Sequence, residues 1–144
     1  MTTYKNYSKI LVGAFVFLLL TWSCSKNTGN IPYVPVSIQI NLQNPDYASI
    51  KTIGGSVSIT GGSKGIIVYR QDISVFKAYD RHCPYNPSAT CSRVTANSSS
   101  MTATDTCCGS QFQLFDGSVL KGPATRALLQ YQTSFDGNIL SITN

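Results

Sequence analysis

The sequence predicts a small all-β protein: an antiparallel β-sandwich carrying an inserted pair of loops and preceded by an N-terminal signal helix. Three observations predict it. Apolar and polar residues alternate at period two in several short runs separated by glycine pairs. No run outside the leader has helical periodicity. Charged residues make up only 12% of the chain, Glu is absent, and Ser, Thr, Asn and Gly are abundant, a balance that suits an exported β module better than a helical bundle or a cytosolic enzyme. The 144 residues accommodate one domain with a modest core.

Residues 1–23 read as an export signal. Lys5 and Lys9 form its positive end, an apolar run covers 10–20 with only Gly13 interrupting, and Ser23 precedes Cys24. A bilayer span needs about 20 apolar residues, so this run is short for one. Ending in LLLTWSCSK, the leader resembles a bacterial lipoprotein signal, although Trp22 is bulky where small residues are usual. The resemblance implies that Cys24 becomes the lipidated first residue and anchors the protein to a membrane of the bacterial cell envelope; several acyl chains would make that anchorage stable. Residues 24–35 are polar and then punctuated by proline, as in a tether. Beyond the leader, nine Lys and Arg against six Asp leave a net charge of +3, scattered along the chain. Nucleic acid is therefore not an expected partner.

The domain is expected over 36–144. Residues 36–42 alternate cleanly and end in a turn at Asn44-Pro45-Asp46. A short strand at 56–59 lies between Gly54-Gly55 and Gly61-Gly62, and 65–70 is continuously apolar, as in a strand central to a sheet. Residues 74–79 alternate again, and 128–132 with 139–142 flank a hairpin signal at Phe135-Asp136-Gly137-Asn138. Between these strand sets lies an insertion at about 81–126. Its part 86–104 is rich in Ser, Thr, Asn and Ala and has little to bury. A covalent or metallic staple is expected to hold it.

The cysteines supply candidates. With Cys24 assigned to lipid, Cys83, Cys91, Cys107 and Cys108 remain, all within the insertion. An even number in an exported chain points to disulfides. Of the three pairings, the vicinal Cys107–Cys108 bridge is the most strained. Both others tie the 83–91 loop to the 107–108 loop.

The stretch after the second cysteine pair reads Gly109-Ser110, Phe112, Gly117 and Gly122-Pro123-Ala124, and the run Tyr79-Asp80-Arg81-His82-Cys83-Pro84 precedes the first loop. Together these resemble a Rieske [2Fe–2S] domain, whose loops carry Cys-x-His and Cys-x-x-His with two thiolates on one iron and two imidazoles on the other. The resemblance covers about 79–131. It places Cys83 at the first cysteine, Tyr85 at the first histidine, Asp105 at the second cysteine and Cys108 at the second histidine, so one ligand of four is retained. It also implies a disulfide between the loops, with Cys107 at one end and Cys91 as its partner. Cys83 and Cys108 then remain, one per loop, and a second disulfide is the expected replacement for the cluster. The crossed pairing, Cys83–Cys107 with Cys91–Cys108, would staple the loops nearly as well.

No cofactor is favoured on this reading. The alternative is a [2Fe–2S] cluster held by unusual ligands at Cys83, Cys108, Asp105 and Tyr85, or zinc on cysteines with His82 or Asp105. His82 is the single histidine, and in an extended loop it points away from Cys83. A redox-active disulfide would need Lys121 or Arg126 to lower a thiol pKa. No catalytic residue is expected: Ser110 lacks a nucleophile elbow and the six Asp are well separated. The expected function is interaction or scaffolding at the envelope with a protein partner. The competing expectation is an electron carrier, or a subunit beside an oxidoreductase, serving a redox partner.

Overall fold

The computed structural model describes residues 30–98 and 100–144. The expected signal, Cys24 and the first half of the tether lie outside the described residues. Along the chain come β1 (Ser37–Asn41), a 3-10 helix (Pro45–Lys51), β2 (Ser56–Ile59), β3 (Ile66–Arg70), β4 (Phe76–Asp80), β5 (Val94–Ala96), β6 (Thr102–Asp105), β7 (Gln111–Gln113), β8 (Val119–Lys121), β9 (Gln130–Phe135) and β10 (Ile139–Thr143). They form two antiparallel sheets. One has the order β1-β10-β9-β4-β3-β2 and the other β5-β6-β7-β8. The small all-β fold is as the alternation predicts.

Strand β3 explains how the two sheets share one body. Its continuous apolar run is buried on both faces. Ile66 and Val68 enter one core with Ile40, Phe76, Ala78, Tyr131, Leu140 and Ile142. Ile67 and Tyr69 enter a second core with Tyr79, Val94, Ala103, Phe112 and Leu114. The central pair β3–β4 is thus the partition between the cores, and the inserted sheet packs on its outer face.

Two expectations are corrected. The stretch 86–104 was expected to bury little, yet it supplies β5 and most of β6, and Val94 and Ala103 are fully buried. Two small side chains suffice because β6 pairs with both β5 and β7, and Phe112 supplies the bulk. The turn at 44–46 begins a 3-10 helix: the Asn44 side chain accepts from the Asp46 amide at 3.0 Å, Pro45 occupies the first turn, and Ile50 is buried.

The chain ends are tied together. Asn144 donates to the Val34 carbonyl at 2.9 Å and accepts from the Val36 amide at 3.0 Å. At the β9–β10 turn, Asp136 accepts from the amides of Asn138 at 2.9 Å and Ile139 at 2.7 Å, while Gly137 takes the left-handed conformation.

Because one strand feeds both cores, Ile66→Ala and Ile67→Ala should each cost about 2–5 kcal/mol in chemical denaturation. A negligible cost for either would contradict the two-faced burial. A second expectation concerns acid. The amides of Ile139 and Asn138 hold the Asp136 pKa below its ordinary value, and the Ser118 amide and hydroxyl do so for Asp116. Both carboxylates therefore favour the folded turns above the unfolded aspartate pKa of about 3.9. That contribution is lost as pH falls through the lower folded values. Carboxylate NMR titration should find both midpoints below the ordinary range, and unshifted midpoints would refute it.

Candidate functional site

The second loop is shaped by a tight turn after β6. The Asp105 carbonyl accepts from the Gly109 amide at 2.8 Å, the Asp105 amide donates to the Ser110 carbonyl at 2.9 Å, and Gly109 has φ +77°. This folds 105–110 back on itself and turns Asp105 and Cys108 inward. Ser110, fully buried, accepts from the Ala124 amide at 2.9 Å and lies 3.1 Å from Cys108 Sγ. The Gly122-Pro123-Ala124 loop, whose Gly-Pro bond is cis, is thereby fastened to the cysteine loop. Gly117 adopts φ +77°, and a Cβ there would lie 2.7 Å from Cε1 of buried Tyr79. Phe112 is fully buried in the second core. Gly109, Ser110, Phe112, Gly117 and Ala124 thus each have a packing or hydrogen-bond role in the polypeptide itself.

The first loop enters from β4 through a buried carboxylate. Asp80 Oδ1 accepts from the His82 amide at 2.7 Å, and Oδ2 accepts from the Ser63 amide at 2.6 Å and the Tyr131 hydroxyl at 2.7 Å. His82 is buried, with Nδ1 at 2.7 Å from Ser63 Oγ and Nε2 at 2.7 Å from the Pro87 carbonyl. Its ring is engaged by Ser63 and Pro87, and the chain bends at 81–82 rather than running extended. Cys83 is fully buried and faces the other loop.

Cys83, Asp105 and Cys108 come together, with one donor atom from each lying within 4.8 Å of the others. The two sulfurs are 3.7 Å apart and Cys108 Sγ is 3.3 Å from Asp105 Oδ2. Asp105 is buried, and its Oδ1 accepts from the Cys107 amide at 2.8 Å. Burial and then the hydrogen bond to Asp105 push the Cys83 thiol pKa well above its ordinary value. The lowering by Lys121 or Arg126 that a redox-active disulfide would use is not found at Cys83. Arg126 instead donates to the Pro84 carbonyl at 3.3 Å.

The disulfide between the loops joins Cys91 and Cys107, with Cα atoms 5.6 Å apart, so the crossed pairing is not the one adopted. The second expected bridge is not formed: Cys83 and Cys108 are free thiols in contact. A bond requires sulfurs at about 2.05 Å, and here Cys108 Sγ is directed to Asp105 and Ser110 instead. Tyr85, which the resemblance places at the first histidine position, is 40% exposed, whereas Tyr79 and Phe112 are wholly buried.

A Rieske cluster does not fit these residues. It needs two thiolates and two imidazoles, and the one imidazole has both nitrogens engaged by Ser63 and Pro87. Asp80, Ser63 and the basic residues around the 60–65 loop were missed from sequence. The signals for them were an aspartate closing an apolar strand and three glycines flanking Ser63-Lys64. In comparison with known proteins, the chain matches no family model and no curated protein.

The Cys91–Cys107 bond closes a loop that should constrain the unfolded chain by about 3 kcal/mol. The Cys91→Ser, Cys107→Ser double variant should lose roughly that much stability in urea unfolding, and an unchanged midpoint would refute the staple. Gly117→Ala should also destabilise, since both its backbone conformation and the Tyr79 ring oppose a Cβ.

Proposed function

We propose that the chain is an exported, lipid-anchored protein of the bacterial envelope. Its Rieske-like domain would lack an iron–sulfur cluster and work by binding or scaffolding rather than by electron transfer. One observation carries this reading: Cys83, Asp105 and Cys108, three of the four ligand positions implied by the resemblance, meet within 4.8 Å, while the histidine needed for iron is engaged elsewhere. The adjacent sulfurs are suited to close as a second loop-to-loop bridge in an oxidising compartment. In that step the two thiols lose two protons and two electrons. The S–S bond of an exchanging disulfide donor breaks and is reduced to two thiols as the Cys83–Cys108 bond forms.

A second reading has one observation in its favour. The 3.7 Å sulfur separation is close to the edge of a tetrahedron with 2.3 Å metal–sulfur bonds, about 3.8 Å. Cys83, Cys108 and Asp105 would then hold a single soft cation, supplying two thiolates and a carboxylate and leaving a fourth position open.

Metal analysis and denaturing mass spectrometry on chain isolated from an oxidising compartment separate the two readings. Four oxidised cysteines without stoichiometric metal are expected. Two alkylatable thiols with bound iron or zinc would overturn the clamp, and acid-labile sulfide would restore the electron carrier. On the clamp reading, Cys83→Ser and Cys108→Ser should destabilise equally, and the double variant little further.

A further inference from the structure

Away from the cysteines, the loop joining β2 to β3 lines a cavity of about 610 Å³. Its sequence, Thr60-Gly61-Gly62-Ser63-Lys64-Gly65, takes φ +128°, +59° and +98° at the three glycines. A Cβ on Gly62 would collide with Asp80 Oδ2 and the Tyr131 hydroxyl. The loop is thus pressed onto the buried carboxylate, which keeps that negative charge behind the Ser63 amide. Arg81, Thr90 and Arg93 complete the lining, which includes Lys64 but no cysteine and no carboxylate.

Two of these three cations are held in place by hydrogen bonds, and none has a counterion among the described residues. Lys64 Nζ donates to the carbonyls of Ala89 at 2.8 Å and Thr90 at 3.3 Å. Arg81 Nε donates to the Val94 carbonyl at 2.8 Å and Nη2 to Thr95 Oγ1 at 3.1 Å, which fixes the guanidinium's plane. Arg93 has no hydrogen-bond or ion-pair partner among the described residues. Burial, and secondarily the charge of Arg93, lowers the Arg81 pKa below its ordinary value, as two close guanidinium groups should. Like charges gathered in a cavity repel one another, and a bound anion removes that penalty.

We propose that this cavity binds a phosphate-bearing ligand, with Arg81, Arg93 and Lys64 surrounding the phosphoryl oxygens. Paired planar donors match a tetrahedral oxyanion better than lone ammonium groups. The volume falls in the range of small-molecule sites, about 300–1,000 Å³. Inorganic phosphate would leave most of it empty, so the phosphoryl group belongs to a larger molecule: a soluble phosphate ester or a phospholipid headgroup. The site would give a binding protein its ligand class, and it is independent of whether the cysteines close.

The test uses the full chain carrying Cys24→Ser, so that no acyl anchor brings it to a membrane. Inorganic pyrophosphate should shift the amide signals of 61–65 and 93 saturably. Arg93→Gln and Lys64→Gln should each weaken binding about tenfold, while Lys121→Gln, outside the cavity, should leave it unchanged. Arg81 is left intact because it also supports β5. Sedimentation with phosphatidylglycerol vesicles that is lost in Arg93→Gln assigns the phosphoryl group to a lipid; pyrophosphate binding without sedimentation assigns it to a soluble ester. Absence of a saturable shift, or equal weakening by Lys121→Gln, overturns the proposal. Neither result bears on metal or thiol content, so this proposal and the clamp fail separately.

Discussion

The buried carboxylate of Asp80 is the constraint on which the rest of the structure depends. A fully buried acid without an ion-pair partner is costly unless its oxygens accept strong hydrogen bonds. Asp80 takes one from the His82 amide, one from the Ser63 amide and one from the Tyr131 hydroxyl. These three donors belong to the first cysteine loop, the β2–β3 loop and β9. Satisfying one charge therefore fixes three segments that are far apart in sequence, at the end of the strand where the main sheet gives way to the inserted one. Burial, and then its hydrogen bond to Asp80, raises the Tyr131 hydroxyl pKa well above its ordinary value. The phenol stays a donor, and the network keeps one arrangement.

The two-core arrangement follows from the sequence of β3 and β4. A strand buried on one face would alternate; Ile66-Ile67-Val68-Tyr69 does not, because each face supports a different core. In β4 the division is visible residue by residue: Phe76 and Ala78 serve the main core, Tyr79 the second. The inserted sheet adds few large side chains of its own. It relies on the outer face of β3–β4, on Phe112 and Leu114, and on the Cys91–Cys107 bond.

Much of this was legible in the sequence, because period-two alternation survives wherever one face of a strand meets solvent. The strand at 56–59 and the β9–β10 turn at Asp136-Gly137 are visible for that reason, and so is β3 through its lack of alternation. Strands β5 and β6 were not legible. Their buried positions are Val94, Ala103 and Asp105, and their other residues are Thr and Ala, a composition shared with solvated loops. At the candidate site, the grouping of Cys83, Asp105 and Cys108 was implied by the Rieske resemblance and not by any local pattern. The Lys64, Arg81 and Arg93 cluster was implied by neither. Those side chains converge only because the 60–65 loop folds over Asp80 and the first cysteine loop crosses it, and no local pattern encodes that crossing.

The glycines, Ser110 and the Gly122-Pro123-Ala124 loop also show why a frame of this kind can stand without iron. Ser110 binds the Ala124 amide, Gly109 allows the turn that returns the chain to Asp105, and Gly117 makes room for the Tyr79 ring. None of these interactions requires a metal. A sequence can therefore carry the tail of such a motif for the stability it gives the two loops, whatever occupies the space between them. What distinguishes an iron site from a stapled one is the donor set at four positions. In this chain the positions that the resemblance implies hold two thiols, a carboxylate and a half-exposed phenol, and the only imidazole is bound to Ser63 and Pro87. Of these features, only the donor set bears on iron.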